Sequence, residues 1–433
     1  MRLPFEELAE LSGSINDLQP EDRAIHAWYN FILSFPPHLV RNYVSRFGVD
    51  SRCQVLDPFC GTGTTPVECK KLGIPSVGIE ALPMSHFAST VKTDWSVDSG
   101  SLLDHAGGVA RRARNVIDSD DSDWQPRTED GLRMLPQEKR RLLIKDSISP
   151  LPLHKTLILI EAIERDFNPK YVDHELLALA SVLPTEIGNL RFGPEVGVGQ
   201  IREDSPVVDV WLNEVESMAA DLRRVAERKH TPSMICCGDA RQPGKLLQDS
   251  SIDAVITSPP YPNEKDYTRI CRLESVLLGY MDDRDGLRRT KEALLRSNTR
   301  NVYKGDRDHK HVIEHDSIQR IAQEIEDRRV ELGKTSGFEK MYHRVTLLYF
   351  GGMKRHFAGL RAALRPGARL AYVVGDQASY LRVMIRTGRL LAEIAESLGY
   401  EVEAIDLFRT RMATATNEQL REEVVVLRWP GQR

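Results

Sequence analysis

A chain of 433 residues with a formal net charge of −4 has no overall field to draw it to nucleic acid, so any such contact must come from a local basic patch. Its 41% hydrophobic and 28% charged residues are ordinary for a soluble globular protein, long enough for two domains or for one core with large insertions. No apolar run approaches the ~20 residues that span a bilayer, and the first residues lack the apolar stretch of a secretory signal.

The six cysteines (Cys53, Cys60, Cys69, Cys236, Cys237 and Cys271) form no Cys-x-x-Cys pair. That argues against a metal site of the zinc type and for a reduced, cytoplasmic setting. Trp28, Tyr29, Asn30 and Phe31 read as a helical or extended lead-in, an aromatic cluster of the kind that usually packs into a core. Pro36 and Pro37 set the start of a helix through Phe47. Next, Gln54 to Asp57 reads as a strand, Pro58 to Gly63 as a glycine-rich turn, and Thr64 to Leu72 as a helix. Gly61 and Gly63 allow close approach of the backbone to a ligand, and the helix N-terminus points at it. The turn lacks the Gly-Lys-Ser/Thr ending of a phosphate-binding loop. A second strand, Ser76 to Glu80, ends in an acid about 20 residues beyond the glycine turn, the spacing at which a carboxylate meets ribose hydroxyls. The plain alternative for Glu80 is a solvated strand-end carboxylate.

Residues 98 to 232 interrupt this pattern. The segment is rich in helix formers, with helices over Leu157 to Phe167, Glu175 to Leu183 and Ser217 to His230. Asp118 to Asp123 reads as an acidic linker and Asn189 to Pro194 as a loop. Arg223, Arg224, Arg228, Lys229 and His230 read as a solvated face. The strand pattern resumes at Met234 to Gly238, followed by Asp239 and Ala240, and again at Ile252 to Ile256.

This second strand is stopped by Thr257-Ser258-Pro259-Pro260-Tyr261. The two prolines stiffen the backbone and carry no amide hydrogens of their own. Ser258 places a hydroxyl at the carboxyl end of a strand, where open α/β sheets bind ligands. Together Ser258 and the Pro259 carbonyl can accept the hydrogens of an exocyclic amine on a nucleobase while Tyr261 stacks on its ring. An ordinary strand-ending turn is the alternative.

A helix over Cys271 to Tyr280 leads into a second interruption reaching Phe338. Between Arg284 and Lys310 nine Lys and Arg residues face four acids, an excess of about five positive charges, with Ser297, Asn298, Asn301 and Tyr303 interleaved. Arg296, Arg300 and Lys304 are the candidate DNA contacts; an exposed helical surface is the alternative. Beyond lie a long helix from Glu339 to Leu364 ended by Pro366-Gly367, a strand over Ala368 to Gly375, and a helix over Thr387 to Leu398. Two strands, Glu401 to Phe408 and Glu423 to Trp429, read as a closing hairpin with a long loop.

Asp57-Pro58-Phe59-Cys60-Gly61-Thr62-Gly63-Thr64-Thr65 and Thr257-Ser258-Pro259-Pro260-Tyr261 together resemble motifs I and IV of the S-adenosylmethionine-dependent DNA amino-methyltransferases. Phe35-Pro36-Pro37 is similar to their motif X, Glu80 to the motif II acid and Asp239 to the motif III acid. The resemblance implies a Rossmann-like class I methyltransferase fold, an α/β architecture with a seven-stranded mixed sheet whose last strand is reversed, plus largely helical insertions. On that basis, residues 1–97 hold motifs X, I and II, 98–232 a helical insertion, 233–280 motifs III and IV, 281–338 a basic insertion and 339–433 the end of the core. It also implies S-adenosylmethionine bound by Phe35, Asp57, Pro58, Phe59, Gly61, Gly63, Thr64, Thr65, Glu80, Ala81, Asp239 and Ala240. Ser258, Pro259, Pro260 and Tyr261 become the catalytic set.

Ser at position 258 goes mostly with cytosine N4 in that family, so methylation of cytosine N4 in double-stranded DNA is expected. A restriction endonuclease on another chain is the partner such an enzyme implies. N6-adenine methylation, RNA base methylation and a DNA-binding module with a decayed cofactor site remain as alternatives. A carbon-5 cytosine enzyme is argued against, because no Cys follows a Pro anywhere in the chain. Thr62 replaces the more usual Ser of the glycine loop, and Ala81-Leu82-Pro83 follows the motif II acid where Asn-Pro would be cleaner. The order of motifs fits no common permutation. Target recognition is therefore expected in one or both insertions.

Overall fold

The computed structural model describes residues 18–29, 34–119, 124–193, 195–263, 265–412 and 419–431. Its strands are β1 (Val55–Asp57), β2 (Ser76–Glu80), β3 (Leu190–Phe192), β4 (Val196–Val198), β5 (Ser233–Cys237), β6 (Ile252–Thr257), β7 (Leu364–Gly375), β8 (Glu401–Met412) and β9 (Gln419–Arg428). Seven of them form one sheet in the order β5-β2-β1-β6-β7-β9-β8. The first five in that order run parallel, and β9 is antiparallel to both neighbours. This is the Rossmann-like class I methyltransferase sheet, with its reversed last strand inserted beside β7. From β1 the chain steps outward to β2 and β5, then returns to the other side of β1 as β6. The crevice between β1 and β6 is thus the topological switch point, where such sheets bind ligands.

The local sequence explains why the crevice opens there. β1 and β6 are almost wholly buried, as expected of central parallel strands. The turn after β1 needs its glycines: Gly61 has φ +52° and Gly63 φ +88°. At Gly63 an added Cβ would lie 3.1 Å from the Ser89 Cβ, so close packing excludes a side chain as well. Gly63 then caps the helix Thr64–Leu72. Two cross-links tie this turn to β6. The Thr257 hydroxyl donates to Asp57 Oδ1 at 2.6 Å, and the Thr65 hydroxyl donates to the Ile256 carbonyl at 3.0 Å.

The first interruption builds its own apolar core from helices Ser99–Asp118, Pro150–Arg165, Val172–Val182 and Val207–Val225, joined by Trp28, Tyr29 and the helix Pro83–Thr93. Trp28 and Tyr29 are buried core residues, as their composition suggested, while Asn30 and Phe31 lie outside the described residues. The basic residues from Arg223 to His230 are exposed along the chain end of this unit, matching a solvated face. The acidic stretch divides: Asp118 ends a helix, and residues 120–123 lie outside the described residues.

Several expectations need correction. Asn189 to Pro194 is not a loop, because Leu190–Phe192 pairs antiparallel with Val196–Val198 in a small hairpin. Its three-residue strands were too short to show alternation. Pro366-Gly367 does not separate a helix from a strand. The helix ends at Leu360, and β7 begins at Leu364 and passes through the pair. Gly367 takes φ +88° where the pairing with β6 slips register, the kind of irregularity at which a strand accepts proline. The closing hairpin has longer strands than expected and so a shorter connection, of which residues 413–418 lie outside the described residues. The helix expected over Cys271 to Tyr280 is two pieces, Tyr267–Ile270 and Arg272–Leu277.

Candidate active site

A cavity of about 620 Å³ lies over the carboxyl ends of the parallel strands, within the size range of small-molecule and cofactor pockets. The sheet delivers two groups of residues to its wall. From the β1, β2 and β5 side come Pro58, Phe59, Gly61, Thr64, Glu80, Ala81, Asp239 and Ala240, with Phe35 arriving from the segment before helix Pro37–Phe47. From the end of β6 come Ser258, Pro259, Pro260 and Tyr261. Residues far apart in sequence therefore face one another across the switch point.

Asp57, Gly63 and Thr65 do not line the cavity. Their side chains or backbone lie beneath it, where Asp57 and Thr65 make the cross-links to β6 and Gly63 packs on Ser89. Asp57 is fully buried, and burial raises its pKa to about 6 against the opposing bonds from Thr257 and the Phe59 amide. These three shape the turn from beneath the cavity wall.

Glu80 is held in a defined orientation. Its Oε2 accepts from the Gly61 amide at 2.8 Å and its Oε1 from the Leu82 amide at 2.7 Å. Burial raises its pKa from 4.5 to about 7, and the amides of Leu82 and Gly61 oppose that shift. The carboxylate thus braces the glycine turn and still has lone pairs for a ligand's hydroxyls. Asp239 lines the wall too, but it is chelated by Arg241, whose Nε lies 2.9 Å from Oδ1 and 3.0 Å from Oδ2. Ala240 is fixed from below: its carbonyl is 2.7 Å from His356 Nδ1, while His356 Nε2 meets the Tyr372 hydroxyl at 2.6 Å. Burial depresses the His356 pKa to about 4, so the ring is neutral near pH 7. Arg241 could have been suspected from its place two residues after the acid. His356, from a distant helix, carried no sequence signal.

On the β6 side, the Ser258 hydroxyl donates to the Val373 carbonyl at 3.1 Å. A hydroxyl has one proton, so a Ser258 oxygen that donates to Val373 can only accept from a further group. The Tyr261 ring packs against Gly375, where an added Cβ would lie 2.9 Å from its Cε2. Burial raises the Tyr261 pKa well above its ordinary value, so the phenol is neutral.

The three candidate DNA contacts divide. Arg300 and Lys304 are exposed, with the Arg300 guanidinium 5.9 Å from the centre of the Phe338 ring. Arg296 is only 3% exposed and is no surface contact. Its guanidinium pairs with Asp306 at 2.9 Å and donates to the carbonyls of Lys291, Glu292 and Leu294. Counting charges along the sequence missed that the charges of this segment pair both with one another and with residues outside it. Lys291 pairs with Asp266 at 2.7 Å, and Asp308 lies between Arg241 and Arg355.

Among the described residues, no group of three or more His, Cys, Asp or Glu is placed to hold a metal ion, and no helix is long and apolar enough to cross a membrane. No family model matches the chain. Over 437 residues it is 24% identical to the type II methyltransferase M.BsoBI of Geobacillus stearothermophilus, covering 94% of this chain and 85% of that protein. Over 460 residues it is 23% identical to the type II methyltransferase M.AvaI of Anabaena variabilis, covering 97% and 89%. A shorter match, 36% identical over 69 residues, is to the type II methyltransferase M.MjaII of Methanocaldococcus jannaschii and covers 16% and 13%. Among solved structures, TrmN from Thermus thermophilus aligns with a TM-score of 0.32 and 10% identity over 95% of this chain and 54% of that one. That likeness is too loose to bear on the fold, which rests on the strand order.

Proposed function

We propose that this chain is a DNA methyltransferase that moves a methyl group from S-adenosylmethionine to the N4 amine of cytosine in duplex DNA. The observation that carries the reading is the Ser258 hydroxyl, turned into an acceptor by its bond to Val373 and set across the cavity from the glycine turn. The long matches to type II methyltransferases support the reaction class and a restriction–modification setting, with a cognate endonuclease on another chain.

S-adenosylmethionine, when bound, supplies an electrophilic methyl group. The donor side of the cavity suits it: Phe35 and Phe59 offer apolar faces, and Gly61 has no atom within 4 Å of where a Cβ would stand. Glu80 accepts from ribose hydroxyls, and Asp239 faces the adenine amine. On the target side, a cytosine inside a duplex cannot reach the cavity, so the base must be extruded. Tyr261 then stacks on the ring. An aromatic amine is a weak nucleophile because its lone pair is delocalised into the ring. Ser258 and the Pro259 carbonyl accept its two hydrogens and favour a pyramidal nitrogen as the new carbon–nitrogen bond forms. That bond would replace the carbon–sulfur bond of the sulfonium, which leaves as a neutral thioether, and the amine would give up one of the protons held at Ser258 and Pro259 to solvent. Orientation and fixed dipoles do most of the work.

The test is mass spectrometry of nucleosides from the DNA and RNA of cells expressing the protein. 4-Methylcytosine in DNA is the expected product. 6-Methyladenine would transfer the same site to adenine, a methylated base in RNA alone would change the substrate, and no product with no cofactor binding would make the chain a decayed module.

A further inference from the structure

Two side chains on the target side of the cavity are buried with polar atoms that nothing satisfies. Asn301 is 1% exposed, and among the described residues neither its Nδ2 nor its Oδ1 has a hydrogen-bond partner. Gln377 is 3% exposed, and its Nε2 has none. Both residues line the cavity. Burying an amide without a partner is costly, so two such amides on a cavity wall point to a polar group that the cavity receives.

The fold holds these amides in place. Gln377 follows two residues after Gly375, against which Tyr261 lies, and its backbone is clamped to Ile385 by paired hydrogen bonds of 3.0 and 2.7 Å. Its Oε1 faces the Ser379 hydroxyl at 3.5 Å, which turns Nε2 away from that neighbour. Asn301 closes the short turn Thr299–Asn301, whose cap, Asn298, donates to the Lys265 carbonyl at 2.9 Å. The Tyr380 hydroxyl donates to the Ser297 carbonyl at 3.0 Å, fastening the loop after β7 to that turn. Gln377 thus stands just beyond the residue that Tyr261 packs on, and the Asn301 turn is tied both to Lys265, after Tyr261, and to the loop that carries Gln377.

We infer that Asn301 and Gln377 read the ring edge of the extruded base, supplying donors to N3 and O2 of cytosine. The inference rests on the proposed function and deepens it. With the amine hydrogens accepted by Ser258 and Pro259, cytosine presents two further acceptors along the same edge, N3 and O2. Two unpaired amide donors match that pair. Adenine presents only N1 beside its amine, with a carbon–hydrogen group next to it, and would leave one donor unmet. A site built to hydrogen-bond a base edge discriminates more sharply than an apolar one.

The test uses 3-deazacytosine, which replaces N3 by carbon–hydrogen. Duplexes carrying cytosine or this analogue at the methylated position, mapped from expressing cells, are titrated with full-length protein and S-adenosylhomocysteine. The wild-type ratio of the two affinities combines the contact to N3 with the easier extrusion of the analogue, whose pair with guanine lacks the N3 acceptor. That ratio should fall about tenfold or more in Asn301→Ala or in Gln377→Ala, because each duplex's own extrusion cost is common to wild type and variant and cancels between them. Unchanged cofactor affinity shows that a variant is folded, and Asn301→Asp and Gln377→Glu replace any that is not. A ratio that stays at the wild-type value in both variants overturns the inference alone. If the wild-type product is 6-methyladenine, the proposed base is wrong and the inference falls with it.

Discussion

Glu80 gives the sharpest quantitative expectation. Its carboxyl is raised to about 7 by burial, so in the free protein it is mostly protonated at pH 6 and mostly ionised at pH 8. Ribose hydroxyls donate to it and favour the charged form, so cofactor binding should pull its pKa down and release a proton. With a free pKa of about 7 the ionised fraction rises about tenfold between pH 6 and pH 8, and cofactor affinity should rise by up to the same factor. The cofactor's own titrations add to that slope, so the comparison is with Glu80→Gln under identical conditions. Gln keeps the shape but sets an NH2 group against one of two backbone donors, Gly61 or Leu82. It should bind the cofactor on the order of tenfold to a hundredfold more weakly at pH 8, the loss of a charged hydrogen bond at about 1.5–3 kcal/mol. Isothermal titration calorimetry in buffers of different ionisation enthalpy measures both affinity and proton release. Parallel pH profiles for wild type and Glu80→Gln would refute the reasoning and reduce Glu80 to a brace for the turn.

Further substitutions separate the other roles. Ser258→Ala and Tyr261→Ala should each lower turnover by at least about tenfold while cofactor affinity stays within about twofold, since both face the target base; full activity of Tyr261→Ala on duplex DNA would remove the stacking role. Arg300→Ala combined with Lys304→Ala should flatten the salt dependence of DNA binding by up to about one log–log unit for each phosphate no longer neutralised, with the melting temperature unchanged. Arg296→Ala should instead destabilise the fold by about 3–5 kcal/mol, because it strands the Asp306 carboxylate and three carbonyls; chemical denaturation reads this, and an unchanged midpoint would return Arg296 to the surface. His356 is neutral by burial, its pKa lowered from 6.5 to about 4, so the unfolded state takes up its proton first. Stability should therefore fall as pH drops below about 6.5, a slope that His356→Phe should reduce in pH-dependent thermal melts.

The sheet was legible because its signals are local and redundant. A buried run, a glycine turn and an acid at the next strand end recur at fixed spacing, and the turn's positive φ angles at Gly61 and Gly63 demand those residues. Ser258 and Tyr261 were legible for the same reason, standing where a proline pair stops a strand. What the sequence concealed depends on partners distant along the chain. Asp57 and Thr65 carry the right chemistry for a ligand but turn inward to Thr257 and Ile256. Arg296 looks like its neighbour Arg300 until Asp306 folds back on it. Asn301 and Gln377 are ordinary amides whose interest lies in burial without a partner, which no pattern of residue types encodes.

The basic segment also gains a meaning different from charge alone. Arg241, two residues past the acid of β5, donates to Asp308 at 2.9 Å and to the Glu292 carbonyl at 2.9 Å, both in residues 281–338. Lys291 of the same segment holds Asp266, five residues beyond Tyr261. One inserted unit is therefore bonded to the acid on the donor side and to the loop on the target side. Its buried ion pairs are costly to desolvate and add little net stability, so their value lies in fixing geometry. Arg241 and Lys291 tie the inserted unit to both walls of the cavity. An insertion used only as a DNA-binding surface would have no need to bury Lys291 against Asp266 or Asp308 against Arg241. This one places a few exposed cations, Arg300 and Lys304 among them, on a frame whose inner charges are bonded to residues beside both walls of the cavity.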